Sequence, residues 1–219
     1  TASGGIERDG RVLALESVDV RIGTTAFTLD ARLNEFPDLG NARADFDLRD
    51  LPLVTIDGAD ARDFDDAVYC EPMADGYRLY VAIADVAHYV GIDSALDREA
   101  QLRGTSVYFP GEVIPMLPEV LSADVCSLRE GEDRAAMVCH LHIDAAGQVE
   151  NRGFTRAIVR IHHNIAYEDA QAAVDSSSPP DHLANLWGAW KLLAKARAAR
   201  DPLELELPER RVVLNEEGQ

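Results

Sequence analysis

Aspartates are concentrated in one short stretch of this sequence. Directly after the apolar run LPLVTI, ten residues carry five of them, namely Asp57, Asp60, Asp63, Asp65 and Asp66. Carboxylates this close repel one another, and folded proteins commonly neutralise them with a hard cation such as Mg²⁺, Mn²⁺ or Ca²⁺. The stretch therefore predicts a metal site.

The residues around the aspartates predict how they would be brought together. Val54 and Ile56 are β-branched and indicate a strand that ends at Asp57, and Gly58 permits a tight turn there. A loop that doubles back over residues 58–62 would return Asp63, Asp65 and Asp66 to the same place. The run AVYCEPM that follows predicts a second strand.

Other acidic motifs fit this stretch less well. A Ca²⁺ helix-loop-helix loop needs oxygen ligands at positions 3 and 5 and glycine at position 6. Counted from Asp57, those positions hold Ala59, Ala61 and Arg62. An Asp-x-Asp-x-Thr nucleophile motif also fails, because Asp57 is followed by Gly-Ala-Asp. A solvated acidic surface loop remains the alternative, although apolar strands on both flanks are unusual for one.

The stretch TIDGADARDFDDAV resembles the signature of the catalytic (RNB) domain of the ribonuclease II and ribonuclease R exoribonuclease family. The resemblance is nearer to ribonuclease R and covers roughly residues 46–219. It continues through YRLYVAIADVAHYV, LDREAQLRGTSVYFPGEVIPMLPEVLSADVCSLREGEDRAAMVCHLHID and AYEDAQAAV. It implies a 3′-to-5′ exoribonuclease that hydrolyses single-stranded RNA to nucleoside 5′-monophosphates.

The resemblance also implies roles for individual residues. Asp57, Asp63 and Asp66 would hold Mg²⁺ or Mn²⁺. Asp65 would act in the catalytic step and would also be a metal ligand. Asp60 lies off the family's pattern of acids.

Tyr108 in VYFPG would stack on the 3′-terminal nucleotide, which suits an enzyme that must hold any base, since every base has a π-face. A tyrosine packed in the core is the alternative. The family's second stacking residue is a phenylalanine, and Val212 or Val213 stands at that place here.

The pattern of the remaining chain predicts an α+β fold with a mixed, largely antiparallel sheet and flanking helices. SALDREAQLRG predicts a helix capped by Ser94 and ended by Gly104. HLANLWGAWKLLAKARAARD predicts an amphipathic helix whose buried face includes Trp187 and Trp190. Asp85 and His88, near a strand end, we interpret as structural residues.

Two domains are predicted. Residues 1–45, with a hairpin turning at Gly23, would be an N-terminal extension or the tail of a preceding β domain. Residues 46–219 would be the N-terminal portion of an RNB catalytic domain. The resemblance implies that the domain continues further, with another acidic residue and an arginine near the scissile phosphate, so we expect the active centre of this chain to be incomplete.

Composition bounds the remaining possibilities. Of 219 residues, 47% are hydrophobic, enough for a core, and no apolar run approaches a membrane span. The charged N-terminal residues are unlike a secretory signal. The three cysteines are odd in number and show no Cys-x-x-Cys spacing, which predicts buried free thiols rather than disulfides or zinc ligands. We therefore expect a cytoplasmic protein.

A net charge of −18 argues against RNA binding by this chain alone. The resemblance implies that separate cold-shock and S1 domains supply the basic surface. The alternatives are a Mg²⁺-dependent phosphohydrolase of small phosphate esters, and a catalytically incomplete module that binds RNA or a protein.

Overall fold

The computed structural model describes residues 46–110 and 112–200, and five strands within the first 34 residues; at residue 151 it describes the backbone alone. The chain divides into two compact units, Thr1–Ala42 and Arg43–Gln219. Val212 and Val213, at the place of the family's second stacking residue, lie outside the described residues.

The first unit contains short antiparallel strands. They are β1 (Ile6–Asp9), β2 (Val12–Leu15), β3 (Val18–Ile22), β4 (Thr25–Leu29) and β5 (Arg32–Asn34). β2 pairs with β1 and β5, and β3 pairs with β4. Ile22 lies opposite Thr25, which confirms the hairpin predicted around Gly23. That this unit belongs to a preceding β domain stays a prediction.

The second unit mixes strands and helices, which confirms the α+β prediction. Its elements are β6 (Phe46–Asp47), β7 (Leu53–Asp57), β8 (Asp66–Met73), β9 (Gly76–Ala84), α1 (Val86–Tyr89), α2 (Ala95–Arg103), β10 (Val107–Phe109), β11 (Glu112–Ile114), a π-helix (Val120–Val125), β12 (Asp133–Asp144), β13 (Val149–Ala166), α3 (Tyr167–Asp175) and α4 (Asp181–Ala198).

The main sheet curls until its ends meet. Its strand order is β12-β9-β8-β7-β13-β6, and β12 also pairs with β13. The first part of β13 runs antiparallel to β12, and the last part, from Ile161, runs parallel to β7. A register irregularity between Ile161 and His163 marks the change of partner. The predicted mixed sheet is therefore a nearly closed barrel rather than an open sheet.

Alanines allow the barrel to be narrow. Ala67, Ala82, Ala136 and Ala157 are 0–1% exposed. Ala67 pairs with Ala82, and Ala136 pairs with Ala157 on the neighbouring strand. Small side chains at facing positions let the strands approach across the interior, where larger ones would hold the barrel open.

Of the helices, α3 and α4 pack against this sheet. α2 is as predicted, because the Ser94 hydroxyl accepts a hydrogen bond from the Asp97 amide and Gly104 ends the helix with φ 74°. α4 places Leu186 and Ala189 against Cys70 and Ile143. The prediction for one tryptophan was wrong: Trp190 is 53% exposed and stacks on Trp187 at 4.3 Å between ring centroids.

Two further predictions concern cysteines and membranes. Cys70 and Cys126 are buried free thiols, as predicted, whereas the free thiol Cys139 is partly exposed. Among the described residues, no helix combines the length and apolarity needed to cross a membrane. The cytoplasmic location stays a prediction.

Candidate active site

The predicted loop lies between two neighbouring strands. Asp57 is the last residue of β7, and Asp66 is the first residue of β8. β7 and β8 run antiparallel, with Val54 opposite Val68, so both aspartates lie at the same end of the barrel. The amide of Ala61 donates to the Gly58 carbonyl at 3.0 Å, which closes the turn that reverses the chain.

Two of the five aspartates, Asp57 and Asp65, have raised pKa values to which neighbouring aspartates contribute. Burial raises the pKa of Asp57, and the charges of Asp66 and Asp63 raise it further, while a hydrogen bond from Thr55 opposes the shift. The pKa of Asp65 is raised by partial desolvation and then by the charges of Asp63, Asp66 and Asp57. Ionisation of Asp57 and Asp65 is therefore less favourable than usual without a counter-charge nearby.

One carboxylate oxygen of this group is left unsatisfied. Asp57 Oδ2 is buried and accepts no hydrogen bond from any described residue. A buried acceptor without a partner is costly, and a carboxylate oxygen is the ligand that Mg²⁺ and Mn²⁺ prefer. The donor set and this oxygen fit a hard divalent cation.

The aspartates are spread too widely to surround a single ion without adjustment. Among the described residues, the group of three potential ligands whose atoms all lie within 4.8 Å of one another is Asp75, His142 and Glu150, and it contains none of the loop aspartates. Asp63, Asp65 and Asp66 are exposed, so their side chains are free to rotate toward an ion or to bind it through water.

Asp75, His142 and Glu150 lie at the opposite end of the strands. His142 Nε2 is 3.2 Å from Asp75 Oδ1, and its Nδ1 is 3.3 Å from Glu150 Oε2. Because both ring nitrogens already face carboxylates, the group has the geometry of an ion-pair network. Sequence reasoning missed it, since Asp75 and His142 are 67 residues apart and no local motif joins them.

Tyr108 lies on an exposed hairpin. β10 and β11 pair with Tyr108 opposite Val113, and Tyr108 is 68% exposed. The alternative of a tyrosine packed in the core is therefore wrong for this chain. An exposed aromatic ring is available for stacking, and its predicted contact with RNA stays a prediction.

The side chains of Asp85 and His88 are not hydrogen-bonded to each other in the described part of the chain. Asp85 is 7% exposed, and its Oδ2 is 3.1 Å from Arg156 Nε. His88 Nε2 is buried and has no hydrogen-bond partner among the described residues. Asp85 thus has a charged partner, whereas this ring nitrogen of His88 is not satisfied as a structural histidine usually is; the structural role of both stays a prediction.

The family of the chain follows from comparison with known proteins. A family model described as the RNB domain matches residues 46–219. The chain belongs to the RNB domain family. The resemblance found in its motifs is thereby confirmed over the same residues.

Curated relatives of this RNB chain are ribonucleases R. It is 47% identical over 180 residues to ribonuclease R of Vibrio parahaemolyticus, a match that covers 78% of this chain and 22% of the relative. It is 51% identical over 166 residues to ribonuclease R of Acidithiobacillus ferrooxidans, covering 72% of this chain and 38% of the relative. The RNB chain therefore spans a minor part of each relative's length.

Solved structures have the same fold. Mycoplasma genitalium RNase R, in complex with ribose methylated single-stranded RNA, matches with a TM-score of 0.75 and 31% identity. The match covers 85% of this chain and 30% of that one. In that structure, the part with this fold belongs to a longer RNase R chain, and it is the RNase R that is in complex with RNA.

Proposed function

We propose that this chain supplies the aspartate centre of a 3′-to-5′ exoribonuclease that hydrolyses single-stranded RNA and releases nucleoside 5′-monophosphates. One observation carries the proposal most directly. In a chain of the RNB family, Asp63 and Asp66 raise the pKa of Asp65 at the β7–β8 junction, and Asp57 Oδ2 is buried there without a hydrogen-bond partner among the described residues.

The aspartates would divide the work between binding and reaction. Asp57, Asp63 and Asp66 would hold Mg²⁺ or Mn²⁺, directly or through water, and Asp65 would act in the hydrolytic step. When bound, the ion would lower the pKa of the attacking water and neutralise charge on the phosphoryl oxygens. Coupled carboxylates share protons and ions, so the four act as a group rather than one by one.

RNA binding requires groups besides the aspartates. Tyr108 would stack on the terminal base through its exposed ring. The net charge of −18 repels phosphates, so the main electrostatic attraction would come from basic domains outside this chain, of the cold-shock and S1 kind. A bound cation would reverse the local field at the aspartates.

The first test compares this chain with its Asp65→Asn variant on 5′-labelled single-stranded RNA with Mg²⁺ or Mn²⁺. A parent that shortens the RNA from the 3′ end, with a variant slower by about 100-fold or more, would support the proposal. Asp60→Asn is the matched control, because it makes the same chemical change in the same loop outside the predicted group. Equal rates for the parent and Asp65→Asn would rule out the role given to Asp65.

Two other outcomes would favour the alternatives. A chain that cleaves small phosphate esters, and whose Tyr108→Ala variant is equally active, would be a Mg²⁺-dependent phosphohydrolase. A chain that binds RNA or Mn²⁺ without cleavage would be an incomplete module, as its small share of the relatives' length allows. Restoring cleavage by adding the remainder of an RNB domain would then show which part is missing.

A further inference from the structure

Ser127 lies beneath the aspartate loop and is completely buried. Its side chain is 0% exposed, in the segment that joins the π-helix to β12. The Ser127 hydroxyl accepts a hydrogen bond from the Phe64 amide at 3.0 Å and donates one to the Arg62 carbonyl at 2.9 Å. These two bonds fix the backbone on either side of Asp63.

The neighbouring backbone extends this attachment to Asp65. The Leu128 amide donates to the Phe64 carbonyl at 2.8 Å, and the Ala84 amide donates to the Asp65 carbonyl at 2.9 Å. The partners of residues 62–65 in these four bonds are Ser127 and Leu128, which precede β12, and Ala84 at the end of β9. The backbone of the loop that carries the exposed aspartates is therefore held by hydrogen bonds on its buried side, although the acidic side chains face solvent.

The same segment is joined to the Asp57 side of the site through Asn164. Asn164 Nδ2 donates to the Leu128 carbonyl at 3.0 Å and to Thr55 Oγ1 at 2.8 Å. Thr55 is 0% exposed and lies two residues before Asp57 in β7, where it lowers the pKa of the Asp57 carboxyl. Asp57 and the Asp63–Asp65 loop are thus both connected to residues 127 and 128.

Ser127 is itself held from its other side. Arg134 is 8% exposed, and its Nε donates to the Ser127 carbonyl at 2.8 Å. A second guanidinium nitrogen donates to the Asp124 carbonyl at 3.2 Å and also pairs with Glu132. A buried arginine with several acceptors is a rigid support, so the Ser127 hydroxyl has little freedom to move.

We propose that Ser127 is a positioning residue, which sets the separation between Asp57 and the aspartates of the loop through the paired hydrogen bonds of its hydroxyl. The proposal rests on the function proposed above, in which these aspartates hold a divalent cation. Groups that orient metal ligands affect affinity strongly, although they do not touch the ion.

Ser127→Ala removes both hydrogen bonds with a minimal change in volume. The Phe64 amide and the Arg62 carbonyl would lose their partner, and the loop would gain freedom. We expect the affinity for Mn²⁺, measured by calorimetric titration of the metal-free chain, to fall about tenfold or more. We also expect faster hydrogen exchange at the Phe64 amide, measured by NMR without any metal.

Ser122→Ala is the matched control. It is the same substitution five residues earlier, at a half-buried serine whose hydroxyl makes no hydrogen bond in the described part of the chain. This variant should keep the parent's Mn²⁺ affinity and the parent's exchange at Phe64. Circular dichroism should show that both variants fold; if Ser127→Ala does not, Ser127→Cys, which keeps a weaker donor and acceptor, takes its place with a smaller effect in the same direction.

The two readouts separate this proposal from the proposed function. Equal Mn²⁺ affinity in the parent and the Ser127 variant, or unchanged exchange at Phe64, would overturn the positioning role. A parent that binds no Mn²⁺ would instead contradict the metal-dependent function, and the exchange measurement alone would then decide whether Ser127 holds the loop.

Discussion

Tyr108 is the residue whose exposure most directly allows a role in binding. Stacking on a base contributes about 1–3 kcal/mol, so Tyr108→Ala should weaken binding of a short RNA about tenfold to a hundredfold. Tyr108→Phe keeps the ring and should bind as the parent does. Fluorescence anisotropy with a 5′-labelled oligonucleotide, whose 3′ end is free, would measure both affinities.

Phe109→Ala provides the control for Tyr108. Successive residues of a strand face opposite sides, so Phe109 presents its ring, which is 54% exposed, away from the surface that Tyr108 covers. Neither substitution should change the free energy of unfolding by more than about 0.5 kcal/mol, because both rings are exposed. A large loss of stability with unchanged RNA affinity would identify Tyr108 as a packing residue.

Residues with local signals were the most predictable. Asp57 followed by Gly58 encodes a strand end and a turn within two positions, and Ser94 is followed three residues later by the amide that it caps. Ser127 has no such signal, because Phe64 lies 63 residues earlier in the chain. Trp190 was predicted wrongly because helical periodicity gives one face of α4 but not how far the sheet covers it.

At the scale of elements, the turn between β12 and β13 is fixed by its contact with α4. Gly147 has φ 78°, and a Cβ placed on it would lie 2.2 Å from the Leu192 carbonyl oxygen of α4. Gly147→Ala therefore combines a left-handed backbone with a clash against main chain, and we expect a loss of about 2–4 kcal/mol in the free energy of unfolding.

Gly131→Ala measures how much of the loss in stability comes from the left-handed backbone alone, without a clash. Gly131 has a similar φ of 75°, but a Cβ there would have no atom within 4 Å. We expect this variant to lose only about 1 kcal/mol. Urea denaturation of both variants would measure the difference, and equal losses would show that the contact with Leu192 relaxes at no cost.

The closure of the sheet could not be predicted from the sequence, because it depends on which strand the second half of β13 pairs with. The antiparallel pair of β12 and β13 follows from their alternation and the turn between them. The second half of β13 also reads as a strand, but alternation does not tell which strand it joins. Its pairing with β7, roughly 100 residues earlier, depends on the twist and narrow interior of the whole barrel.

At the scale of the whole molecule, 39 acidic residues against 21 lysines and arginines determine how stability responds to pH and ions. Ionised carboxylates repel one another throughout the chain, and added salt screens that repulsion without regard to position. A divalent cation bound at the aspartate centre acts at one place. Comparing the stability of the chain in a monovalent salt and in a divalent salt, at equal ionic strength, therefore distinguishes binding at a specific site from general screening.

The metal-free chain should lose stability as the pH rises from the ordinary aspartate range toward neutrality. The pKa values of Asp57 and Asp65 are raised in the folded state by burial and by their acidic neighbours, so their protonated forms are favoured there. That contribution is fully present below the ordinary aspartate pKa and is lost as the pH rises through the raised values. Asp47 acts in the opposite sense, since hydrogen bonds from Arg49 lower its pKa to about 2, but its contribution is lost only in more acidic solution.

Mg²⁺ should remove most of this pH dependence. Binding to the folded chain alone stabilises it by about 2.7 kcal/mol when free Mg²⁺ is a hundred times the dissociation constant, and it does so most where the aspartates are ionised. Thermal denaturation at pH 5 and pH 7.5, with Mg²⁺ or with NaCl at equal ionic strength, measures the effect. In the Asp57→Asn variant, Mg²⁺ should stabilise the chain little more than NaCl does. If NaCl stabilises the parent as much as Mg²⁺ does, the aspartates form an ordinary acidic surface and not a metal centre.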